Sequence, residues 1–246
     1  MIKKLSKPII LKYEKKEFYL PDDVKDNIKK YWNSLISKNP KLFNGENHCV
    51  LSVVENDDNI QMTVVRTNYS TYLYNDNVGM PDEKYNIIHI WSGILLETLD
   101  GYLVVGEMDE TTSVPKCLQI PGGGTSDEDI KGDILDINLN LKRELKEELN
   151  LDLDKIDYEI KYLECPTKGR SVYGFLAYGK VNMTKNELNN YFEDYKKYLE
   201  ENDLEIEFSK LVFLNKEAGL SELDKLKNPK REYLRELIEI CSKMKD

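Results

Sequence analysis

The chain has 246 residues, of which 35 are basic and 45 acidic, so its formal net charge is −10 at pH 7. Hydrophobic residues make up 40% and charged residues 33%, a composition typical of a globular protein with a sizeable core. The acidic balance argues against a nucleic-acid binder or a protein of anionic membrane surfaces, and no apolar run is long enough to span a bilayer.

Cysteine and histidine usage bears on compartment and metal chemistry. The four cysteines are far apart in sequence, no CxxC pair occurs, and there are only two histidines. The N-terminal residues MIKKLSKPII also lack the apolar core of a signal peptide. These features predict a reduced, cytoplasmic protein without a zinc site.

The first 86 residues predict an N-terminal extension that packs on, or contributes to, a catalytic domain at 87–246. Residues 1–18 predict an extended arm or edge strand, and a helix is expected over about 22–38. Two strands at 50–54 and 61–65 form a predicted hairpin around a polar turn. A tyrosine-rich connection follows at 69–85.

The second part interleaves strands and helices. We expect a hairpin at 87–106, closed around Asp100-Gly101, and a short strand at 118–120 that runs into Pro121-Gly122-Gly123-Gly124. The further predicted elements are a helix at 134–149, strands at 158–163 and 171–181, a helix at 184–200, a strand at 210–214 and a helix at 229–243. This order predicts a mixed α+β sandwich rather than a doubly wound parallel sheet.

One predicted helix carries an unusual group of acids. Glu144, Glu147 and Glu148 are spaced i, i+3, i+4, so we expect their carboxylates to share one edge, beside an apolar stripe of Ile134, Leu141, Leu145 and Leu149. Like charges at this spacing destabilise a helix, and a divalent cation removes that penalty. Ligand sets made only of carboxylates suit Mg²⁺ or Mn²⁺ better than Zn²⁺.

The combination of this helix with the preceding glycine turn resembles the Nudix hydrolases, whose signature is G-x5-E-x7-R-E-U-x-E-E-x-G-U. The second half of the signature matches at Arg143, Glu144, Leu145, Glu147, Glu148 and Leu151. The chain departs from it at Asn150, which replaces the last glycine but also tolerates a left-handed helix end. A second departure is an implied insertion of about six residues within 125–133, with Glu128 or Asp133 as candidates for the missing glutamate.

The resemblance implies a Nudix α/β/α sandwich and Mg²⁺-dependent (or Mn²⁺-dependent) hydrolysis of a nucleoside diphosphate linked to a second group, X. It implies Glu144, Glu148 and Arg143 as catalytic residues, with Glu144 or Glu148 as the base. The implied metal ligands are Glu144, Glu147, Glu148 and the carbonyl of Gly123. Further candidates are Gly122, Gly124, Arg66, Tyr72 and Arg170 for the substrate, and Glu207 (with Glu205 beside it) or Glu128 as an additional acid.

Upstream segments are similar to a narrower branch, the UDP-glucose and UDP-galactose diphosphatases. The segments are Trp32, residues 39–45, residues 67–72 and residues 100–106. They favour a UDP-sugar substrate that is cleaved to UMP and a sugar phosphate. The alternatives are capped RNA, a dinucleoside polyphosphate, or a nucleotide sensor that no longer cleaves its ligand. A homodimer is left open.

Overall fold

The structure is a computed structural model and describes residues 1–244. The strands of this part of the chain are β1 (Ile2–Lys4), β2 (Ile9–Glu17), β3 (Glu46–Glu55), β4 (Ile60–Asn68), β5 (Ile88–Glu97), β6 (Tyr102–Met108), β7 (Leu118–Gln119), β8 (Gly122–Gly124), β9 (Ile130–Lys131), β10 (Ile134–Leu135), β11 (Asp157–Glu164), β12 (Val172–Lys180) and β13 (Phe208–Asn215). Its α-helices are α1 (Asp22–Ile36), α2 (Tyr69–Asn77), α3 (Ile137–Leu149), α4 (Lys185–Glu201), α5 (Gly219–Lys225) and α6 (Glu232–Ser242).

Strand β5 organises the sheet, because it pairs with four other strands. It runs parallel to β12 and antiparallel to β3, β6 and β8. The sheet continues outward from β5 through β12, β11 and β1 on one side, and through β3, β4, β2, β10 and β9 on the other. In the β8 pairing, Trp91 lies opposite Gly124 and Gly93 opposite Gly122, so the glycine strand lies along the middle of β5.

Helices cover both faces of this sheet. Side chains alternate along β5, so that Ile90 and Ile94 enter one core and Trp91 and Leu95 enter another. The first core also contains the apolar faces of α3 and α4, and the second contains those of α5 and α6. Each fully buried aliphatic side chain contributes about 2 kcal/mol to stability. The predicted α+β class, with a mixed sheet between helices, is confirmed.

The N-terminal strands belong to the same sheet. β1 pairs with β11 at one edge, and β2 runs parallel to β4. β3 pairs with both β4 and β5, so hydrogen bonding continues across residue 86. The division of the chain at that residue stays a prediction. Within residues 1–244, no helix combines the length and apolar character needed to cross a membrane.

The tyrosine-rich segment was expected to be a connection, but it begins with the helix α2. The Asn68 side chain accepts a hydrogen bond from the Thr71 backbone N–H and so caps the first turn. Ser70 and Leu73 are buried, whereas the helix has little separation of polar and apolar faces. Its sequence therefore lacks the periodicity by which the other helices were predicted.

Helix α3 is shorter at its start than predicted. Residues 134–135 form β10, which turns back on β9, so Ile134 lies outside the helix. The Asp136 side chain caps α3 by accepting a hydrogen bond from the Asn138 N–H. The helix ends at Asn150 with φ 54° and ψ 22°, which confirms the expected left-handed end.

Candidate active site

The glycine strand β8 lies between β5 and α3. Gly122 has φ 141°, a conformation that side-chain-bearing residues rarely adopt, and a Cβ there would overlap the Ser92 carbonyl. A Cβ on Gly123 would lie 2.5 Å from Glu144 Oε2. Glycine is therefore required for the strand to approach both its neighbour and the carboxylate behind it.

Two glutamates of α3 are buried behind this strand. Glu144 is 6% exposed and Glu148 is 3% exposed. Glu148 Oε2 accepts a hydrogen bond from the Gly122 N–H at 2.7 Å, whereas Glu148 Oε1 is buried without a hydrogen-bond partner. An unpaired buried carboxylate oxygen is costly, which makes it an available ligand for a cation.

These carboxyl groups have strongly shifted pKa values. Burial, opposed in part by Arg143, raises the pKa of Glu144 to about 8. Burial raises the pKa of Glu148 well above its usual range, and the nearby charges of Glu207 and Glu144 add to the effect. Glu207, which directly precedes β13, also has a raised pKa because it is buried. The three acids therefore form one electrostatic cluster that a cation would stabilise.

Arg143 connects the cluster to the glycine strand. Its Nη1 lies 2.8 Å from Glu144 Oε1 and 3.1 Å from Glu147 Oε2. Its Nη2 donates to the Gly124 carbonyl at 3.0 Å and to Asp129 Oδ2 at 3.1 Å. The guanidinium thus fixes the position of Glu144 relative to β8.

Glu147 differs from Glu144 and Glu148 in its burial. Its side chain is 53% exposed, although the same nitrogen of Arg143 contacts both Glu147 and Glu144. On an ideal helix, Glu148 lies about 40° from Glu144 in one direction, and Glu147 about 60° in the other. The small difference in angle is enough to leave one carboxylate in the cleft wall and bury the other two.

The buried acid of the loop between the glycine strand and α3 is Asp129. Glu128 and Asp133, the two candidates for the missing glutamate, are both exposed. Asp129 is 1% exposed and accepts hydrogen bonds from Arg143 and from the Ser126 N–H. The β9–β10 hairpin brings the chain back so that Asp129 faces α3. The capping box from Ser126 to Asp129 is a sequence signal that could have identified it.

Asn140 is a second residue that the sequence analysis missed. It is fully buried, and its Nδ2 donates to the Gly124 carbonyl at 2.9 Å and to Asp129 Oδ2 at 3.1 Å. Its side-chain oxygen accepts a hydrogen bond from the Ser92 hydroxyl. Asn140 therefore joins β5, β8 and the inserted hairpin one turn before Glu144.

A cleft of about 390 Å³ opens over these residues. One end, the acidic end, is lined by the glycine strand and by carboxylates: Gly122, Gly123, Gly124, Glu144, Glu147, Glu205 and Glu207. The other end, the arginine end, is lined by basic and aromatic residues: Tyr69, Tyr72, His89, Arg170, Arg231 and Tyr233. The structure thus places Tyr72, Arg170 and Glu207 in one cleft with the glycine strand.

Arg66 is not brought to this cleft. Its guanidinium forms an ion pair with Asp127, and it lines a separate cavity of about 460 Å³ beside α1. A substrate in the main cleft would not meet an arginine that is engaged on the other side of the segment 43–47. The sequence showed the charge of Arg66 but not the acid that neutralises it.

The donor set fits a divalent cation that is shared with a substrate. Among residues 1–244, no three carboxylate, imidazole or thiol groups already converge into a complete metal cage. Mg²⁺ does not require one, because it is usually bound by one or two carboxylates together with water and substrate phosphates. The unpartnered Glu148 Oε1 and the Glu144 carboxylate beside Gly123 supply oxygens of the required kind.

No family model matches the chain, and no curated protein matches it. Among solved structures, it is similar to DR0079 from Deinococcus radiodurans, with 18% identity and a TM-score of 0.44 over 62% of this chain and 82% of that one. A NUDIX hydrolase from Alicyclobacillus acidocaldarius has 10% identity and a TM-score of 0.44 over 64% of this chain and 92% of that one. A C. elegans Ap4A hydrolase has 15% identity and a TM-score of 0.37 over 61% of this chain and 93% of that one. Identities and TM-scores this low do not assign a function to the chain.

Proposed function

We propose that the chain is a Nudix pyrophosphohydrolase that cleaves the diphosphate linkage of a nucleoside diphosphate derivative with the aid of Mg²⁺ or Mn²⁺. The observation that supports it most is the buried pair of Glu144 and Glu148 behind the glycine strand. An acidic protein can hold a diphosphate at such a place only if cations lie between the two sets of negative charges.

In this proposal, Glu144 and Glu148 hold the metal, and Glu207 and the Gly123 carbonyl add oxygens. Glu147 contributes from the cleft wall. The bound cation would lower the pKa of a water molecule and neutralise charge on the phosphates. The raised pKa values of Glu144 and Glu148 support the assignment, since both carboxylates are unfavourable in the absence of a compensating charge.

The two buried glutamates have different surroundings, and this divides their roles. Glu148 is fixed by the Gly122 N–H, which suits a ligand that does not move. Glu144 directs Oε2 toward Gly123, while Arg143 holds Oε1. We therefore assign the general base to Glu144, with Arg143 as the residue that positions it.

The substrate we propose is a UDP-sugar, cleaved to UMP and a sugar phosphate. Tyr72 lies in the cleft and stacks on His89 with ring centroids 4.3 Å apart, so this aromatic pair offers a surface for a base or sugar. Arg170 supplies positive charge at the same end. A cytoplasmic location and a homodimer are further parts of the proposal.

The test is a panel of UDP-glucose, ADP-ribose, a dinucleoside polyphosphate and capped RNA, incubated with Mg²⁺ and analysed by ³¹P NMR. We expect UMP and glucose 1-phosphate from UDP-glucose, and loss of turnover in Glu148→Gln. Glu193→Gln on α4 is the matched control, because Glu193 is a partly exposed acid paired with Lys196. Binding of a panel member without turnover by the wild-type chain would indicate a sensor, and turnover of capped RNA alone would remove the sugar assignment.

A further inference from the structure

The arginine end of the cleft has a charge that the proposed cleavage does not require. Arg170 lies two residues before β12, whose first residue, Val172, is opposite His89 on β5. Arg231 directly precedes α6. Because Gly124 is opposite Trp91, the arginine end begins about two residues along β5 from the glycine strand, or roughly 7 Å.

Arg170 is held rigidly and still has donors to spare. It is 9% exposed, and its Nε donates to Glu164 Oε1 at 2.8 Å. Glu164 Oε2 in turn accepts from Trp91 Nε1 at 3.0 Å, and the guanidinium carbon lies 5.9 Å from the Tyr233 ring. The two terminal amino groups of Arg170 make no hydrogen bond to residues 1–244. Neither amino group is among the fully buried atoms that lack a partner, so both reach the water of the cleft and can donate to a ligand there.

Arg231 has even fewer partners. Its Nε donates to Gln119 Oε1 at 3.1 Å, and within the described chain it forms no ion pair. Arg170 bonds the carboxylate of Glu164. Burial raises the pKa of Asp76, the charges of both arginines oppose that rise, and Asp76 forms no ion pair with either arginine within residues 1–244. The arginine end therefore has two guanidinium groups, the Glu164 carboxylate that bonds Arg170, and the nearby carboxyl group of Asp76, which bonds neither arginine among residues 1–244.

The start of α6 adds to the same positive potential. Arg231 occupies the N-cap position, where no side chain accepts from the first N–H groups of the helix. Tyr233, in the first turn, lines the cleft with Arg231. An uncapped helix N-terminus favours an anion. Glu232 in the first turn offsets part of that effect, and the two arginines make the preference specific to this end of the cleft.

We propose that the arginine end binds a second anionic group, a carboxylate or a phosphate, carried by the group X of the substrate. The inference rests on the proposed function, since that function places the diphosphate at the glycine strand. The chain would then prefer nucleoside diphosphate derivatives in which X is itself charged, such as UDP-uronates, over those with a neutral sugar. An anion there would accept from the free donors of Arg170 and Arg231 and offset their burial.

The experiment compares two pairs of ligands that each differ by one anionic group. The carboxylate pair is UDP-glucuronate and UDP-glucose, and the phosphate pair is ADP-ribose with and without a phosphate on its distal ribose. Affinity is measured by calorimetry with Ca²⁺ in place of Mg²⁺, so that hydrolysis is held back. We expect the charged member of at least one pair to bind roughly ten- to a hundredfold more tightly, and the pair that responds identifies the anion.

Arg231→Gln is the decisive variant, because Arg231 is only partly buried and no carboxylate depends on it. It should reduce the preference for the charged ligand severalfold, with Arg170 still in place, and should change the affinity for the neutral ligand much less. Arg235→Gln, on the same helix, is the control, because Arg235 is exposed and bonds Asp224. The Arg235→Gln variant should prefer the charged ligand as strongly as the wild-type chain does.

The outcomes separate this inference from the proposed function. An absence of preference in both pairs, or a preference that Arg231→Gln does not reduce, overturns the inference even if every ligand is hydrolysed with Mg²⁺. A preference that depends on Arg231 supports the inference even if no ligand is hydrolysed, and in that case it is the proposed function that fails.

Discussion

The carboxylate of Asp129 accepts two hydrogen bonds from the guanidinium of Arg143, from Nε to Oδ1 at 3.3 Å and from Nη2 to Oδ2 at 3.1 Å. Asp129 lies in the segment between the glycine strand and α3. This segment contributes directly to the site, since it supplies the buried acid that orients Arg143 and, through it, Glu144.

Replacing Asp129 with Asn should destabilise the protein by roughly 2 kcal/mol, because it removes a buried carboxylate that accepts two hydrogen bonds from the partly buried guanidinium of Arg143. Turnover should fall as well, since Glu144 loses its fixed position. Urea unfolding and the kcat for UDP-glucose measure the two effects. Glu128→Gln, at the exposed neighbour, is the control and should change neither. An Asp129→Asn variant as stable and active as wild type would show that the pairing is unimportant.

Gly123→Ala should abolish most activity without unfolding the chain. The new Cβ would meet Glu144 Oε2 at 2.5 Å and displace the carboxylate, and a shift of that size can cost about a hundredfold in rate. Steady-state kinetics and thermal unfolding provide the comparison. Gly219→Ala on α5, outside the cleft, is the matched control, because its Cβ would lie at an ordinary 3.4 Å from Ile238 Cγ2. Equal activity in the two variants would contradict the close packing of β8 on Glu144.

Periodicity and turn chemistry predicted most of the fold. The β3–β4 hairpin, the strands on either side of β5 and the helix with Glu144 and Glu148 follow from patterns that local sequence carries. The α2 helix did not follow, because its stability comes from the Asn68 cap and tertiary packing rather than from an apolar stripe. The grouping of Glu144, Glu147 and Glu148 could be predicted for the same reason as α3, because the three residues lie within five positions of one helix.

The rest of the site depends on contacts between distant segments. Asp129 reaches Arg143 only through the β9–β10 hairpin, and Arg231 joins Arg170 across about a quarter of the chain. The position of Arg66 outside the main cleft could not be predicted for the same reason, since its partner Asp127 is far away in sequence. A single sequence shows which charges exist, but not which of them are already neutralised.

The two histidines should make stability fall in acid. Burial lowers the pKa of His48 to about 4, and burial together with Arg170 lowers that of His89 to about 3, compared with 6.5 in the unfolded chain. Below pH 6.5 the unfolded state therefore binds more protons, so each histidine's stabilisation is complete above 6.5 and is lost as pH falls toward 4 and 3. At pH 5 the loss should be about 2 kcal/mol for each histidine.

The free energy of unfolding in urea at pH 7.5, 6.5 and 5 measures this effect. The raised pKa values of Glu144 and Glu148 act in the opposite sense, so the histidine contribution is the difference in slope between wild type and His48→Gln. We expect a shallower acid decline in the variant. Parallel curves would mean that His48 titrates normally in the folded protein.

The end of α3 offers a test of backbone conformation. Asn150 has φ 54°, so Asn150→Ala should be about 1 kcal/mol less stable than Asn150→Gly. Both variants lose the bond from Asn150 Nδ2 to the Tyr191 hydroxyl, and both retain the bond from that hydroxyl to the residue 150 carbonyl. Chemical denaturation distinguishes them, and equal stability of the two variants would contradict the left-handed helix end.

The most direct measurement of the central claim is a titration with Mn²⁺, followed by electron paramagnetic resonance, in the presence of a non-hydrolysable diphosphate analogue. If Glu144 and Glu148 hold the cation against the diphosphate, the wild-type chain binds Mn²⁺ and analogue together, and Glu148→Gln weakens that binding by at least about tenfold. Glu193→Gln leaves it unchanged. Equal Mn²⁺ affinity in wild type and Glu148→Gln would contradict a metal site behind the glycine strand.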